Sequence, residues 1–336
     1  MALKKILVIR FSSIGDIVLT TPVIRCLKNQ LHDVTIHVLT KKKFSNLYKT
    51  NPYINKVYEY DASLKENIAE LKLENYDYVV DLQKNKRSVR VTRALHCAHA
   101  SFPKLNVRKF LLSAFKINIM PDIHIVDRYF KAVEKLGVYN DYQGLDFFIS
   151  EKNNYPITEL PEDFRNGYYA FVIGGTYKTK ILPPVKIVEV LKKINKPVIL
   201  LGGPDDVERA EEILASSSKL KSDSQEPGVE ILNLVGKINL EQSASIVKNA
   251  DSVLTNDTGL MHIAAAFHKN VVSVWGNTVP ELGMYPYLPQ EPEKCNIIEC
   301  KDVRCRPCSK LGFKECPKKH FRCMMDIDVK SIVDSL

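Results

Sequence analysis

The chain has 336 residues and a formal net charge of +9, with 45% hydrophobic and 26% charged residues, the proportions of a soluble globular protein. That length points to two domains, each able to bury its own core. No apolar run approaches the ~18 residues that span a bilayer, and the first twenty residues read as strand, turn and helix rather than signal peptide, so a cytoplasmic location is expected.

The first predicted strand, residues 6–9, is apolar and mostly β-branched, as a central parallel strand is. It runs into a turn of small residues, Ser12, Ser13 and Gly15, which permits a tight bend and close backbone approach by a ligand. Asp16 then stands at the carboxyl end of that strand and the start of a helix, where open α/β sheets place their ligand crevice. Two roles are open to it: a cap of the helix, or a carboxylate turned to a ligand.

Further strands are predicted at 34–39, 56–60 and 78–81, with helical stretches at 22–30 and 64–73. Such alternation implies a doubly wound parallel sheet. From Leu82 to Pro121 there are nine Lys or Arg, among them Lys84, Lys86, Arg87, Arg90 and Arg93, and no acidic residue. So local an excess generates a coherent field over one face of the first domain, suited to phosphate and carboxylate groups. A solvated helix surface is the plainer alternative. Nucleic acid is the competing anionic partner, but no helix-turn-helix signature, zinc-finger spacing with histidines or aromatic-rich strand motif supports it.

A polar, Pro-containing stretch at 150–166 reads as the linker, after which strands recur at 168–174, 198–202, 230–234, 252–255 and 271–275. The expected division is 1–160, 161–325 and a closing helix at 326–336. In the run 253–267 a short strand again ends at a carboxylate: Asp257, Thr258 and Gly259 lead a small-residue helix. Its first amides could hold a diphosphate while Asp257 takes hydroxyls, or the group is an ordinary helix cap. His262, one turn into that helix beside Ala264 to Ala266, is expected to pack rather than react. Six of the eight cysteines fall between Cys295 and Cys323. The spacing of Cys305, Cys308, Cys316 and Cys323 allows a structural zinc site, with reduced, partly buried thiols as the alternative.

Together these motifs resemble glycosyltransferase family 9, the ADP-heptose:lipopolysaccharide heptosyltransferases, nearly end to end. The family's small residues, Gly-Asp, apolar stretch and Pro are matched by Ser12, Ser13, Gly15, Asp16 and Pro22. Its Gly-rich strand end and Lys-x-Trp-Pro are matched at Gly174, Gly175, Lys180 and Pro183, with Leu182 standing where the family usually carries Trp. Its Asp-Thr-Gly and following His are matched at Asp257, Thr258, Gly259 and His262, and its later Gly-x-Thr at Gly276 and Thr278.

The resemblance implies a GT-B architecture, two Rossmann-like doubly wound parallel-sheet domains facing a central cleft, with the acceptor on the N-terminal and the nucleotide sugar on the C-terminal domain. It implies an inverting heptosyltransferase with Asp16 as general base and Lys180 as countercharge to the diphosphate. Gly15, Gly175, Thr176, Asp257, Thr258, Gly259, His262, Gly276 and Thr278 would surround an ADP-activated donor. Adenosine could sit at the 202–206 strand end, its ribose reached by Asp205, Asp206 or Glu208. Lys84, Lys86, Arg87, Arg90 and Arg93 would meet an acidic lipopolysaccharide core at the inner face of the cytoplasmic membrane. No catalytic metal or other required cofactor is expected. A non-catalytic nucleotide-sugar-binding protein, or transfer of another sugar, is the alternative.

Overall fold

The computed structural model describes residues 5–223 and 228–336. The chain forms two compact units, one of residues up to 105 with 123–148, the other of 106–122 with 149–336. This differs from the expected contiguous division at residue 160. The polar stretch after residue 150 is bound into the second unit, where Ser150 and Asn153 donate to Glu241, and residues 106–122 join that unit too.

In the first unit, β1 (Lys5–Ile9), β2 (Thr35–Lys41), β3 (Lys56–Tyr60), β4 (Tyr78–Asp81) and β5 (Ala98–Ser101) form a sheet in the order β3-β2-β1-β4-β5. All its pairings are parallel. The apolar run Ile6 to Ile9 is completely buried because β1 is central and covered on both faces. Strand order reverses between β1 and β4, so the crevice at their carboxyl ends is the ligand position of a doubly wound sheet.

The second unit repeats the plan with β6 (Tyr169–Val172), β7 (Val198–Leu201), β8 (Ile231–Asn233), β9 (Ser252–Asn256), β10 (Asn270–Trp275) and β11 (Cys295–Glu299), ordered β11-β10-β9-β6-β7-β8. Here too every pairing is parallel, and order reverses between β6 and β9. The closing helix Val329–Ser335 is capped by Asp328, which accepts from the Lys330 and Ser331 amides. It packs Val329 and Ile332 into the same buried cluster as Ile187 and Leu191. The expected fold class, two Rossmann-like parallel-sheet α/β domains of the GT-B type, is the one observed. Among the described residues no helix is long and apolar enough to cross a membrane.

Candidate functional site

At the β1/β4 reversal, Asp16 lies in the short helix Ile14–Val18. Its Oδ2 accepts from the Ser13 amide at 3.2 Å and the Ser13 hydroxyl at 2.9 Å, so the capping role is present. Its Oδ1 does something a cap does not require: it pairs with Arg10 Nη2 at 2.5 Å. The Arg10 side chain is 7% exposed and that of Asp16 24%. Arg10 is itself fixed, donating from Nε to Ser12 O at 2.9 Å and from Nη1 to Leu82 O at 2.5 Å and the Tyr129 hydroxyl at 3.2 Å. Burial alone would push the Asp16 carboxyl up; the Arg10 charge and the Ser13 hydrogen bonds overcome it and hold the group below its ordinary value. Asp16 is therefore ionised at neutral pH, in a fixed orientation.

The neighbouring β4 end is tied to the same place. Asp81 accepts from the amides of Gln83 and Lys84 and from Ser88 Oγ, while Gln83 Oε1 accepts from the Phe11 amide at 2.8 Å. Asn85 caps the helix Lys86–Leu95, whose buried face is Ser88, Val91 and Thr92. Lys86, Arg87, Arg90 and Arg93 lie on its exposed side, and Lys84 Nζ donates to Phe102 O at 2.9 Å. The nine basic residues do not share one face of one domain, as expected from sequence. Lys84, Lys86, Arg87, Arg90, Arg93 and Lys104 belong to the first unit, and Arg108, Lys109 and Lys116 to the second.

At the β6/β9 reversal of the second unit, Lys180, Asp257 and Thr278 meet. Lys180 Nζ lies 2.5 Å from Asp257 Oδ2, and Thr278 Oγ1 donates to the same oxygen at 2.9 Å. Thr258 is the N-cap residue of the helix Gly259–Ala266 without using its side chain to cap it. Its hydroxyl is shielded from solvent and has no hydrogen-bond partner. Gly175 packs against Ile181 and Thr258, Gly15 is buried, and Thr176 is exposed. His262 is 2% exposed, in keeping with a packing role. Leu182, also 2% exposed, belongs to the core and donates its amide to Asn256 Oδ1, so it offers no stacking surface in place of Trp.

Two further features fix this site. Gly174 is required by close approach, since a Cβ there would fall 2.1 Å from Asp206 Oδ2. Asp206 is occupied by the Gly203 amide and Arg209, which leaves Asp205 and Glu208, both exposed, as the carboxylates available near the 202–206 strand end. Gly276 likewise admits the Thr179 carbonyl, which would lie 2.7 Å from a Cβ.

The cysteine-rich tail holds the Lys180 turn and the Thr278 loop together. Arg306, 9% exposed, donates to the carbonyls of Trp275, Gly276, Thr278 and Cys300 and pairs with Glu299 at 2.8 Å. Thr179 donates to Asn277 and exchanges hydrogen bonds with Phe313. Neither Arg10 nor Arg306 stood out from the sequence; the only signal was a charge at the end of an apolar strand in one case, and between two cysteines in the other.

Among the described residues no group of three or more His, Cys, Asp or Glu is placed to hold a metal ion. Cys305 Sγ lies 3.7 Å from His320 Nε2, while Cys308 donates its thiol to the Cys305 carbonyl. Burial pushes the Cys308 thiol up to about 11 and the Cys323 thiol up to about 12. Cys323 feels the charge of Cys305, Cys308 and Cys316, and Cys308 that of Cys305 and Cys316, so the four thiols lie near one another.

A sequence model of glycosyltransferase family 9 (heptosyltransferase) matches residues 66–314. The lipopolysaccharide heptosyltransferase 1 of Campylobacter coli is 27% identical over 296 residues, covering 82% of this chain and 84% of that protein. The lipooligosaccharide heptosyltransferase 2 of Haemophilus influenzae is 25% identical over 320 residues, covering 87% of this chain and 88% of its own. The solved Escherichia coli ADP-heptose lipopolysaccharide heptosyltransferase II superposes with a TM-score of 0.72 at 21% identity, over 98% of this chain and 97% of that one. Because the family model spans well over half of its length, the chain belongs to glycosyltransferase family 9 and is a glycosyltransferase of the heptosyltransferase type.

Proposed function

We propose that the protein transfers a heptose from an ADP-activated donor to an acidic lipopolysaccharide-core acceptor, with inversion at the anomeric carbon. The acceptor hydroxyl gives its proton to the Asp16 carboxylate as its oxygen bonds to the anomeric carbon. The bond from that carbon to the donor phosphate breaks in the same displacement, and ADP leaves with the electron pair. Lys180 and the amides at Thr258 and Gly259 balance the charge that grows on the leaving diphosphate. Asp257 and Thr278 would hold donor hydroxyls, and Lys86, Arg87, Arg90 and Arg93 the acidic groups of the acceptor. The observation that carries this reading is the Arg10–Asp16 pair: it keeps a strand-end carboxylate ionised and aimed, which helix capping alone does not need. The setting would be the inner face of the cytoplasmic membrane, where a lipid-anchored acceptor is presented.

The relatives' names supply the substrate class, and the chemistry of the residues at the two strand ends supplies the roles. Incubating the protein with ADP-heptose and purified core acceptor tests the whole. The expected result is ADP release matched by a glycolipid heavier by one heptose; ADP binding without any extended product would favour a non-catalytic nucleotide-sugar-binding protein, with Asp16 as a cap.

A further inference from the structure

We propose that residues 106–122 form a docking surface for an anionic lipid bilayer. This segment displays Val107, Phe110, Phe115, Ile117 and Ile119 with exposures of 72, 59, 61, 50 and 48%. Single exposed apolar side chains are ordinary, whereas five within thirteen consecutive positions form a patch that marks an interaction site. The rings of Phe110 and Phe115 contact edge to face at 5.8 Å, so they are presented as a pair.

The patch is built rather than loose. Leu112 and Met120 turn inward against Val279 and Leu282, and Lys116 Nζ donates to Ser113 O and Pro307 O at 2.7 and 2.6 Å. Its anchor residue Val279 directly follows Thr278, so the surface is fixed to the loop that serves Asp257.

Charge selects the occupant. Arg108 and Lys109 sit among the apolar residues, and no acid occurs from Leu82 to Pro121. Basic residues beside aromatic and aliphatic ones suit an interface where apolar groups enter the headgroup boundary and cations meet anionic lipid. A second copy of this chain fits poorly, because a twofold contact would set the same cations against themselves. The inference rests on the proposed function only for its purpose, a lipid-anchored acceptor; its deciding readout, vesicle sedimentation, contains no sugar.

Purified protein would be sedimented with vesicles of phosphatidylcholine alone or of phosphatidylcholine with phosphatidylglycerol, across a salt series. Wild type should bind the anionic vesicles and not the neutral ones. Phe110→Ser with Phe115→Ser should weaken binding about tenfold or more, and Arg108→Gln with Lys109→Gln should weaken it and flatten its salt dependence. Melting temperatures and transfer to a delipidated, soluble acceptor should be unchanged in both variants. Wild type that stays in the supernatant, or variants that sediment like wild type, would overturn the proposal. So would a wild-type dimer that the Phe110/Phe115 variant converts to monomer, which would make the patch an interface between copies. Intact vesicle binding without transfer would leave the docking surface standing and count against the catalytic reading instead.

Discussion

Asp16 and Asp257 each lie beyond the carboxyl end of a central strand where sheet order reverses, Asp16 after the first strand of its sheet and Asp257 after the fourth of its own, and each is paired to a cation 2.5 Å away. The cations differ. Arg10 is buried and spends its remaining donors on Ser12, Leu82 and Tyr129, so it cannot leave Asp16 without stranding hydrogen bonds. Lys180 is 17% exposed, a point charge on a flexible stem. The first pair sets the charge and direction of a carboxylate, as the proposed base requires; in the proposed reaction an entering diphosphate would draw Lys180 from Asp257.

Breaking the fixed pair should have the larger effect. Arg10→Gln should lower kcat/KM at neutral pH by roughly ten- to a hundredfold, because the carboxylate loses its aim. It should also move the acid limb of the pH–rate profile upward, since burial, which raises the Asp16 carboxyl, is then opposed only by the Ser13 hydrogen bonds. In wild type that limb should lie below the ordinary carboxylate value of ~3.9. The linked stability has the same sign: Asp16 stabilises the fold above that unfolded value, and the contribution is lost as pH falls through its lower folded one. An unmoved limb would separate Asp16 from proton transfer.

Lys180→Ala breaks the second pair and should weaken ADP binding about tenfold, with a further loss in kcat as the leaving group gains charge. Calorimetric ADP affinity equal to wild type would remove the proposed contact. The smallest effect should come from Lys86→Gln, Arg87→Gln and Arg90→Gln together, raising the acceptor KM about threefold and reducing its salt dependence without changing ADP affinity. Within this set the Lys86 end should matter most, because the helix carries Arg90 about 6 Å farther along its axis. Acceptor kinetics unchanged across a salt series would reduce the basic face to a solubilising surface.

The central strands and both strand-end carboxylates were legible because β1 and β9 are buried on both faces and end in small-residue turns. Of the four edge strands, β3 and β8 were legible and β5 and β11 were not. β5 reads Ala-His-Ala-Ser and is half exposed, and β11 is only partly buried throughout and begins at Cys295, within what reads as a cysteine tail. Neither carries a two-sided apolar pattern. The inclusion of residues 106–122 in the second unit has no local signature either, since it depends on Leu112 and Met120 meeting residues far along the chain. Arg10 and Arg306 were passed over for a related reason: a charged residue declares a buried role only when the carbonyls it serves have been brought to it by the fold.

The account turns on whether Asp16 accepts a proton or only caps a helix, and Asp16→Asn decides it, since the amide keeps the shape and loses the base. Initial rates of heptose transfer and ADP affinity would be measured on the same folded preparation. The account predicts a fall in kcat of ~100-fold or more with ADP affinity and melting temperature close to wild type. Wild-type turnover in a variant that melts earlier would contradict it and leave Asp16 a structural cap.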